Sequence, residues 1–278
     1  MTFSKTIPRA LLVFVATFVA QMIAGILVPM KAMPVAPHFL LWILLSNAAT
    51  VAALSVAAAR TDWRGWRLGA AVAAIPPAIF FINLIEGVVF LTNSDVQWAR
   101  VFLFTLLSSA LTVPVWMLLF GRGKDVSPGH CHPFQAQSRA ERAWKFVISD
   151  VAYVFLYFAA GTIIFPYVKS FYAGQHLPST VNLIGLQFFV RGPMLIFLCL
   201  TLVRMLGLPR LRGAVVVGVV FTILTGVAPL LIPNPYFPDV VRWAHFCEVT
   251  GSNFVFATMV AWLWGSPARA SAHLAMAA

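Results

Sequence analysis

Long apolar runs make up most of the chain, and short polar segments separate them. Each run approaches the length of about 20 residues that an α-helix needs to cross the hydrocarbon core of a bilayer. Transmembrane β-strands would instead alternate apolar and polar positions over segments of about 10 residues. The pattern therefore predicts an all-α polytopic integral membrane protein, one transmembrane domain over 1–278 with a bundle of about eight transmembrane helices. The predicted spans are roughly 10–30, 38–59, 68–90, 101–120, 146–168, 181–203, 213–232 and 240–264.

The two halves of the chain carry similar sequence marks at corresponding places. The segment DVQWAR around Trp98 opens the fourth span, and DVVRWAH around Trp243 opens the eighth. Arg67 and Arg212 precede the third and seventh spans at the same offset. This spacing predicts a 4+4 internal repeat, in which two sets of four spans have the same orientation. The alternative is a chance match, to which apolar sequences are prone.

Composition agrees with the membrane class and excludes others. The chain is 61% hydrophobic and only 10% charged, whereas soluble proteins have about 25% charged residues. The formal net charge of +11 comes from basic residues in short loops between apolar runs, so nucleic acid is not an expected partner. Most Lys and Arg residues lie in one alternating set of these loops, which predicts an inner (plasma) membrane protein with both termini cytoplasmic.

The longest polar segment is the basic loop 121–145, which this orientation places in the cytoplasm. Its His130, Cys131 and His132 cannot by themselves complete the four ligands of a tetrahedral zinc ion. A solvated loop is the favoured interpretation, and we expect neither a metal nor a cofactor. Toward the end of the loop, Arg139 to Lys145 is expected to form a short interfacial helix.

Polar side chains within the spans are few and lie at similar depth. Arg191 cannot lose its charge, and a lone charge near the bilayer centre costs about 2.5–3.5 kcal/mol even on the lenient insertion scale. Glu86 and Glu248 lie at similar depth, so we expect Arg191 to pair with one or both of them. His245, one turn before Glu248, can relay a proton toward the outside. The candidate residues for binding a substrate or a proton are Glu86, Arg191, His245, Glu248, Asn83, Asn47, Gln187 and Asn253.

Two further stripes of polar residues follow helical spacing. Asp150, Tyr153 and Tyr157 share one face of the fifth span, and we interpret them as an acid near the start of a helix followed by aromatic packing. Arg242 precedes His245 and Glu248 on one face of the eighth span. That face should contact protein or a water-filled cavity rather than lipid.

Three functions fit this pattern. The first is a transporter or permease for a small solute or ion, because prolines interrupt several spans and polar groups cluster within the membrane. The second is an intramembrane enzyme acting on a lipid or peptide through Glu86, His245 and Glu248. The third is a non-catalytic binding or assembly subunit, in which the charges only fix helix packing. The sequence contains neither HExxH nor GxSxG, which favours the transporter over the enzyme. The expected partners are the bilayer and a small molecule or proton.

Overall fold

The computed structural model describes residues 3–30, 37–90, 97–121, 137–233 and 237–265. Within these residues the secondary structure is helical, and eight helices are long and apolar enough to cross a membrane. The predicted all-α, multi-pass class is confirmed. The His130 to His132 motif and most of the loop 121–145 lie outside the described residues. The helices are α1 (Phe3–Leu27), α2 (Phe39–Arg60), α3 (Gly65–Phe90), α4 (Trp98–Phe120), α5 (Arg139–Tyr172), α6 (Thr180–Leu206), α7 (Arg210–Leu231) and α8 (Asp239–Trp264).

Helix α5 differs most from the predicted spans. It begins at Arg139 and runs without a break to Tyr172, so the expectation of a separate interfacial helix over Arg139 to Lys145 is wrong. The early start has a local cause, because the hydroxyl of Ser138 accepts a hydrogen bond from the backbone N–H of Glu141 (3.1 Å) and caps the first turn. At about 1.5 Å per residue the helix is about 51 Å long, which exceeds the thickness of a bilayer core.

The helices pack in two groups. The first group consists of α1, α3 and α4, in which α4 contacts both of its neighbours extensively. The second group consists of α2, α5, α6, α7 and α8, with α8 packed against α5 and α7. Between the groups, α1 contacts α2, whereas α3 makes only sparse contact with α2, α6 and α7. The packing of α3 against the second group is therefore the sparsest in the bundle.

This packing has a counterpart in the predicted repeat. Helix α4 lies between α1 and α3, and α8 lies between α5 and α7 in the same way. Such a correspondence is what two sets of four spans would produce. A symmetry relation that superimposes the two halves stays a prediction.

Two arginines stabilise ends of helices or the loops beside them. Arg242, which is 2% exposed, donates from Nη1 to the carbonyl oxygens of Leu230 and Leu231 at 3.0 and 3.3 Å. Those carbonyls end α7 and have no partner within the helix, so the guanidinium caps it. Arg204 near the end of α6 forms a two-pronged ion pair with Asp62, between α2 and α3, at 3.0 and 3.1 Å.

Candidate functional site

Arg191 is paired at membrane depth, as its cost in a bilayer requires. Its Nη1 donates to Oε1 of Glu86 at 2.7 Å and to Oε1 of Gln187 at 3.1 Å. Arg191 is 7% exposed and Gln187 is fully buried. The predicted ion pair is confirmed for Glu86. Glu248 forms no direct bond with Arg191, because its carboxylate is held by a histidine on its own helix.

A local widening of α6 places Arg191 and Gln187 beside each other. The segment Gln187–Arg191 forms a π-helical turn, and Pro193 lies two residues after its end. Proline has no backbone N–H and its ring crowds the carbonyl four residues earlier, which favours such an irregular turn. π-Turns occur frequently at functional sites.

Two tyrosines of α5 complete a hydrogen-bonded network around the ion pair. The hydroxyl of Tyr153 donates to Oε1 of Gln187 at 2.9 Å, and the hydroxyl of Tyr157 donates to Oε1 of Glu86 at 2.9 Å. We call Tyr153, Gln187, Arg191, Glu86 and Tyr157 the Arg191 network. It joins α3, α5 and α6, and so it spans the sparse contact between the two helix groups.

The interpretation of the Asp150 stripe as a helix-start acid with aromatic packing is incomplete. The tyrosine rings do lie near each other, with centroids 6.4 Å apart, but both hydroxyls belong to the Arg191 network. Asp150 is 3% exposed and its carboxylate lies directly against Gly192, next to the π-turn of α6. The sequence already indicated that these residues have polar contacts, since three polar residues on one face of a membrane span require partners.

A second set of polar contacts lies between α5 and α8. Nδ1 of His245 is 2.6 Å from Oε2 of Glu248, and Nε2 of His245 is 2.9 Å from the hydroxyl of Tyr172. An ionised carboxylate only accepts, so we assign the Nδ1 proton to the bond with Glu248, which leaves Nε2 of a neutral imidazole to accept from Tyr172. We call Tyr172, His245 and Glu248 the His245 relay. Sequence reasoning missed Tyr172, because it lies far from the others along the chain.

Helix α5 connects the relay to the network. Glu248 lies against Gly161 of α5, where a Cβ would be 3.6 Å from Oε1, and it is close enough to Arg191 and Tyr153 to interact with them electrostatically. Polar groups thus follow one side of α5 from Asp150 to Tyr172. The distance from Asp150 to Tyr172 along the helix axis is about 33 Å, which is about the thickness of a bilayer core.

Three of the candidate residues do not join this site. Asn47 exchanges two hydrogen bonds with Gln21 at 2.7 and 3.0 Å and so links α2 to α1. Asn253 donates to Oγ1 of Thr225 at 2.9 Å and links α8 to α7. Asn83 is exposed on α3. The position of a residue along a span does not determine which way its side chain points around the helix.

Two buried donors of the Arg191 network have no acceptor among the described residues. They are Nε of Arg191 and Nε2 of Gln187. The amide orientation of Gln187 is well determined, since its oxygen accepts from Arg191, which can only donate. Oδ1 of Asp150 is likewise buried without a donor in the described part of the chain. Such groups are rare in folded proteins, and a bound acceptor would satisfy the two donors.

The site combines the means to bind an oxygen acceptor with the means to move a proton. The guanidinium and the amide offer donors, and the carboxylates, imidazole and phenols can pass protons. Within the described ranges, no three His, Cys, Asp or Glu side chains lie together as a metal site requires. The chain matches no protein-family model, no curated protein and no solved structure.

Proposed function

We propose that this integral membrane protein is a transporter for a small solute that carries an anionic oxygen group, such as a carboxylate, and that its transport is coupled to protons. Arg191 and Gln187 bind the solute in this proposal. Glu86 and the His245 relay carry the proton. From the distribution of Lys and Arg, we further propose an inner membrane location with both termini cytoplasmic.

The observation that carries the proposal is the pair of unsatisfied donors in the Arg191 network. Leaving a buried donor without an acceptor costs about 1–3 kcal/mol, so Nε of Arg191 and Nε2 of Gln187 favour a ligand that accepts from both. A carboxylate has two oxygens and matches the donor geometry of a guanidinium. A neutral carbonyl compound lacks the negative charge that strengthens a hydrogen bond to a guanidinium.

The position of Glu86 supports transport over simple binding. Glu86 lies on α3, and Arg191 lies on α6 across the sparse contact between the helix groups. An anionic solute at Arg191 competes with Glu86 for the guanidinium, and a proton on Glu86 weakens the ion pair further. Both events would loosen α3 from the second group, which is the kind of two-state motion that alternating access requires.

The His245 relay supports proton coupling. Its imidazole holds a carboxylate on one side and a phenol on the other, and that carboxylate lies against Gly161, one helical turn after Tyr157 of the Arg191 network. A proton that enters at Tyr172 can therefore reach a carboxylate beside the Arg191 network. Histidine suits this role because its proton affinity lies near physiological pH.

Solute binding is tested most simply by thermal unfolding of the purified protein with small carboxylates, phosphates and neutral solutes. A ligand at 100 times its Kd stabilises the folded state by about 2.7 kcal/mol, so carboxylates should raise the Tm. Gln187→Glu keeps an oxygen for Tyr153 and Arg191 but removes the Nε2 donor, and it should abolish the rise. The matched control, Gln21→Glu on α1, should retain it. Equal responses of Gln187→Glu and the unmodified protein would refute the assigned site.

A second candidate function is an intramembrane enzyme, and the His245 relay is the observation that favours it. A carboxylate orients the imidazole, which in turn bonds a hydroxyl, and this order of groups can activate a nucleophile. In that case Tyr172 attacks the carbonyl carbon of a lipid ester or a peptide bond while His245 accepts its proton. The bond to the alcohol or amine then breaks, His245 gives the proton to that leaving group, and water hydrolyses the acyl-tyrosine. Mass spectrometry of membrane lipids and peptides incubated with the protein would detect cleavage products that Tyr172→Phe does not form. Unchanged lipids and peptides would eliminate this candidate.

A further inference from the structure

A groove runs between α3 and α6, and none of the residues that line it belongs to the His245 relay. Its volume is about 630 Å³, within the range of about 300–1,000 Å³ that small-molecule sites occupy. On α3 the groove is lined by the small side chains of Ala71, Ala74 and Ala78, and on α6 by the large apolar Phe197 and Leu198. The bulky side chains of α6 extend into this space, and the alanines of α3 are too small to fill the rest of it. The groove follows from the sparse contact of α3 with the second group.

One end of the groove has the composition of a lipid headgroup site. Trp63, Trp66 and Arg67 line it, and Trp66 is 72% exposed. Tryptophans concentrate at the depth of lipid headgroups, and basic residues between transmembrane helices bind anionic headgroups. Arg67 is exposed and forms no ion pair with a carboxylate in the part of the chain that the structure describes.

The other end of the groove lies about one helical turn from the Arg191 network. Ile82 of α3 and Met194 of α6 line this end. Glu86 follows Ile82 by one helical turn, and Arg191 precedes Met194 by about one turn, on the same faces of their helices. The Glu86–Arg191 pair therefore lies about one turn beyond this end of the groove, and neither of its residues lines the groove.

We propose that this groove binds an anionic phospholipid, with the phosphate on Arg67, the headgroup region beside Trp63 and Trp66, and one acyl chain along the alanines of α3 to Met194. Two observations support this occupant over others. The groove is apolar along its length and opens between membrane-spanning helices, where acyl chains are its natural neighbours. A cationic side chain stands at the headgroup end, which complements a phosphate. The site is independent of the solute that the proposed function requires.

Native mass spectrometry of the full chain, titrated with phosphatidylglycerol or phosphatidylcholine, tests the headgroup part. Phosphatidylglycerol should bind more tightly, and Arg67→Gln should weaken its first binding step about fivefold, the effect of one basic residue at a membrane surface. Phosphatidylcholine binding should change less. The matched control is Arg212→Gln, which removes an exposed arginine in the first turn of α7 and should leave the binding of both lipids unaffected. Equal affinity for the two lipids, or no effect of Arg67→Gln, would overturn the proposal.

The acyl-chain part is tested by filling the groove. Ala74→Leu places a larger side chain in the groove and should lower phosphatidylglycerol binding, while Ala110→Leu, at an exposed position of α4, should not. If Ala74→Leu does not fold, Thr201→Leu fills the groove from α6 and should act in the same way. Unchanged lipid binding in a folded groove-filling variant contradicts the proposal. So does a protein dimer that Ala74→Leu dissociates, since a second copy would then be the occupant.

Discussion

At the scale of single residues, the properties of Arg191 determine the site. A guanidinium remains charged at any accessible pH, so burial forces the surrounding helices to supply acceptors. Glu86 and Gln187 supply them to Nη1, while Nε is left without one among the described residues. Arg191 thus forms a structural ion pair through Nη1 and keeps a donor at Nε for the proposed solute.

Replacing one partner of the Glu86–Arg191 ion pair should destabilise the folded protein more than replacing both partners. Glu86→Gln leaves the buried guanidinium without its counter-charge and should lower the free energy of unfolding by on the order of 3 kcal/mol. Arg191→Met combined with Glu86→Gln removes the unpaired charge and should restore part of that loss. A double-mutant cycle in detergent micelles measures the coupling. Losses that add without any coupling energy would mean that the two groups do not interact.

The relay offers a test that removes a single oxygen atom. Tyr172→Phe deletes the hydroxyl that bonds Nε2 of His245 and should slow solute-driven proton flux about fivefold, the equivalent of one hydrogen bond of about 1 kcal/mol. Tyr167→Phe is the matched control, because Tyr167 lies on the same helix and is exposed. Proton flux in reconstituted liposomes is the measurement. A relay without function would give the same rate in both variants.

Sequence reasoning reached the ion pair but not its surroundings, and the reason is physical. The energetic penalty of a lone charge predicts that Arg191 has a carboxylate partner, and only two glutamates lie at the right depth. Which glutamate pairs with Arg191 depends on how each helix is rotated about its axis. The sequence of a single span does not determine that rotation. For the same reason Asn47 and Asn253, at suitable depth, bond instead to Gln21 and Thr225.

At the scale of elements, α5 and α6 form the scaffold of the site. The π-turn of α6 brings its donors together, and α5 supplies the polar face from Asp150 to Tyr172. The number of spans was predictable from runs of about 20 apolar residues. The long α5 was also readable, since Ser138 and Glu141 have the spacing of a capping box. The π-turn was not, because proline indicates an irregular helix without specifying its form.

The contact of α5 with the π-turn depends on a missing side chain at Gly192. A Cβ there would collide with the carboxylate of Asp150 and lie 2.9 Å from the carbonyl oxygen of Gln187. Gly192→Ala should therefore lower the free energy of unfolding by about 1–3 kcal/mol, as overpacking does. Gly185→Ala, on the same helix with nothing within 4 Å, should be neutral or stabilising by up to about 1 kcal/mol. Thermal unfolding of both variants compares them. Equal Tm values would show that the close approach is unimportant.

At the scale of the whole molecule, the arrangement of the helix groups gives the site its proposed function. The Arg191 network bridges α3 to the second group where other contacts are sparse. In the proposed function, a solute binds at the same network that bonds the two helix groups together. Solute binding can then be coupled to the relative motion of the groups. Composition and periodicity predicted the membrane class, whereas the grouping depends on contacts between helices distant in sequence.

The most direct test of this account is proton entry into liposomes that contain the reconstituted protein and an internal pH-sensitive dye, with a small carboxylate outside. The account predicts that the carboxylate accelerates proton entry and that Glu86→Gln slows this accelerated entry about tenfold or more, the equivalent of at least 1.4 kcal/mol. Asp239→Asn, the matched control, removes a carboxylate charge from Arg242 at an exposed position and should leave the rate unchanged. A rate that does not respond to the solute, or that is the same in Glu86→Gln as in the unmodified protein, would contradict the account.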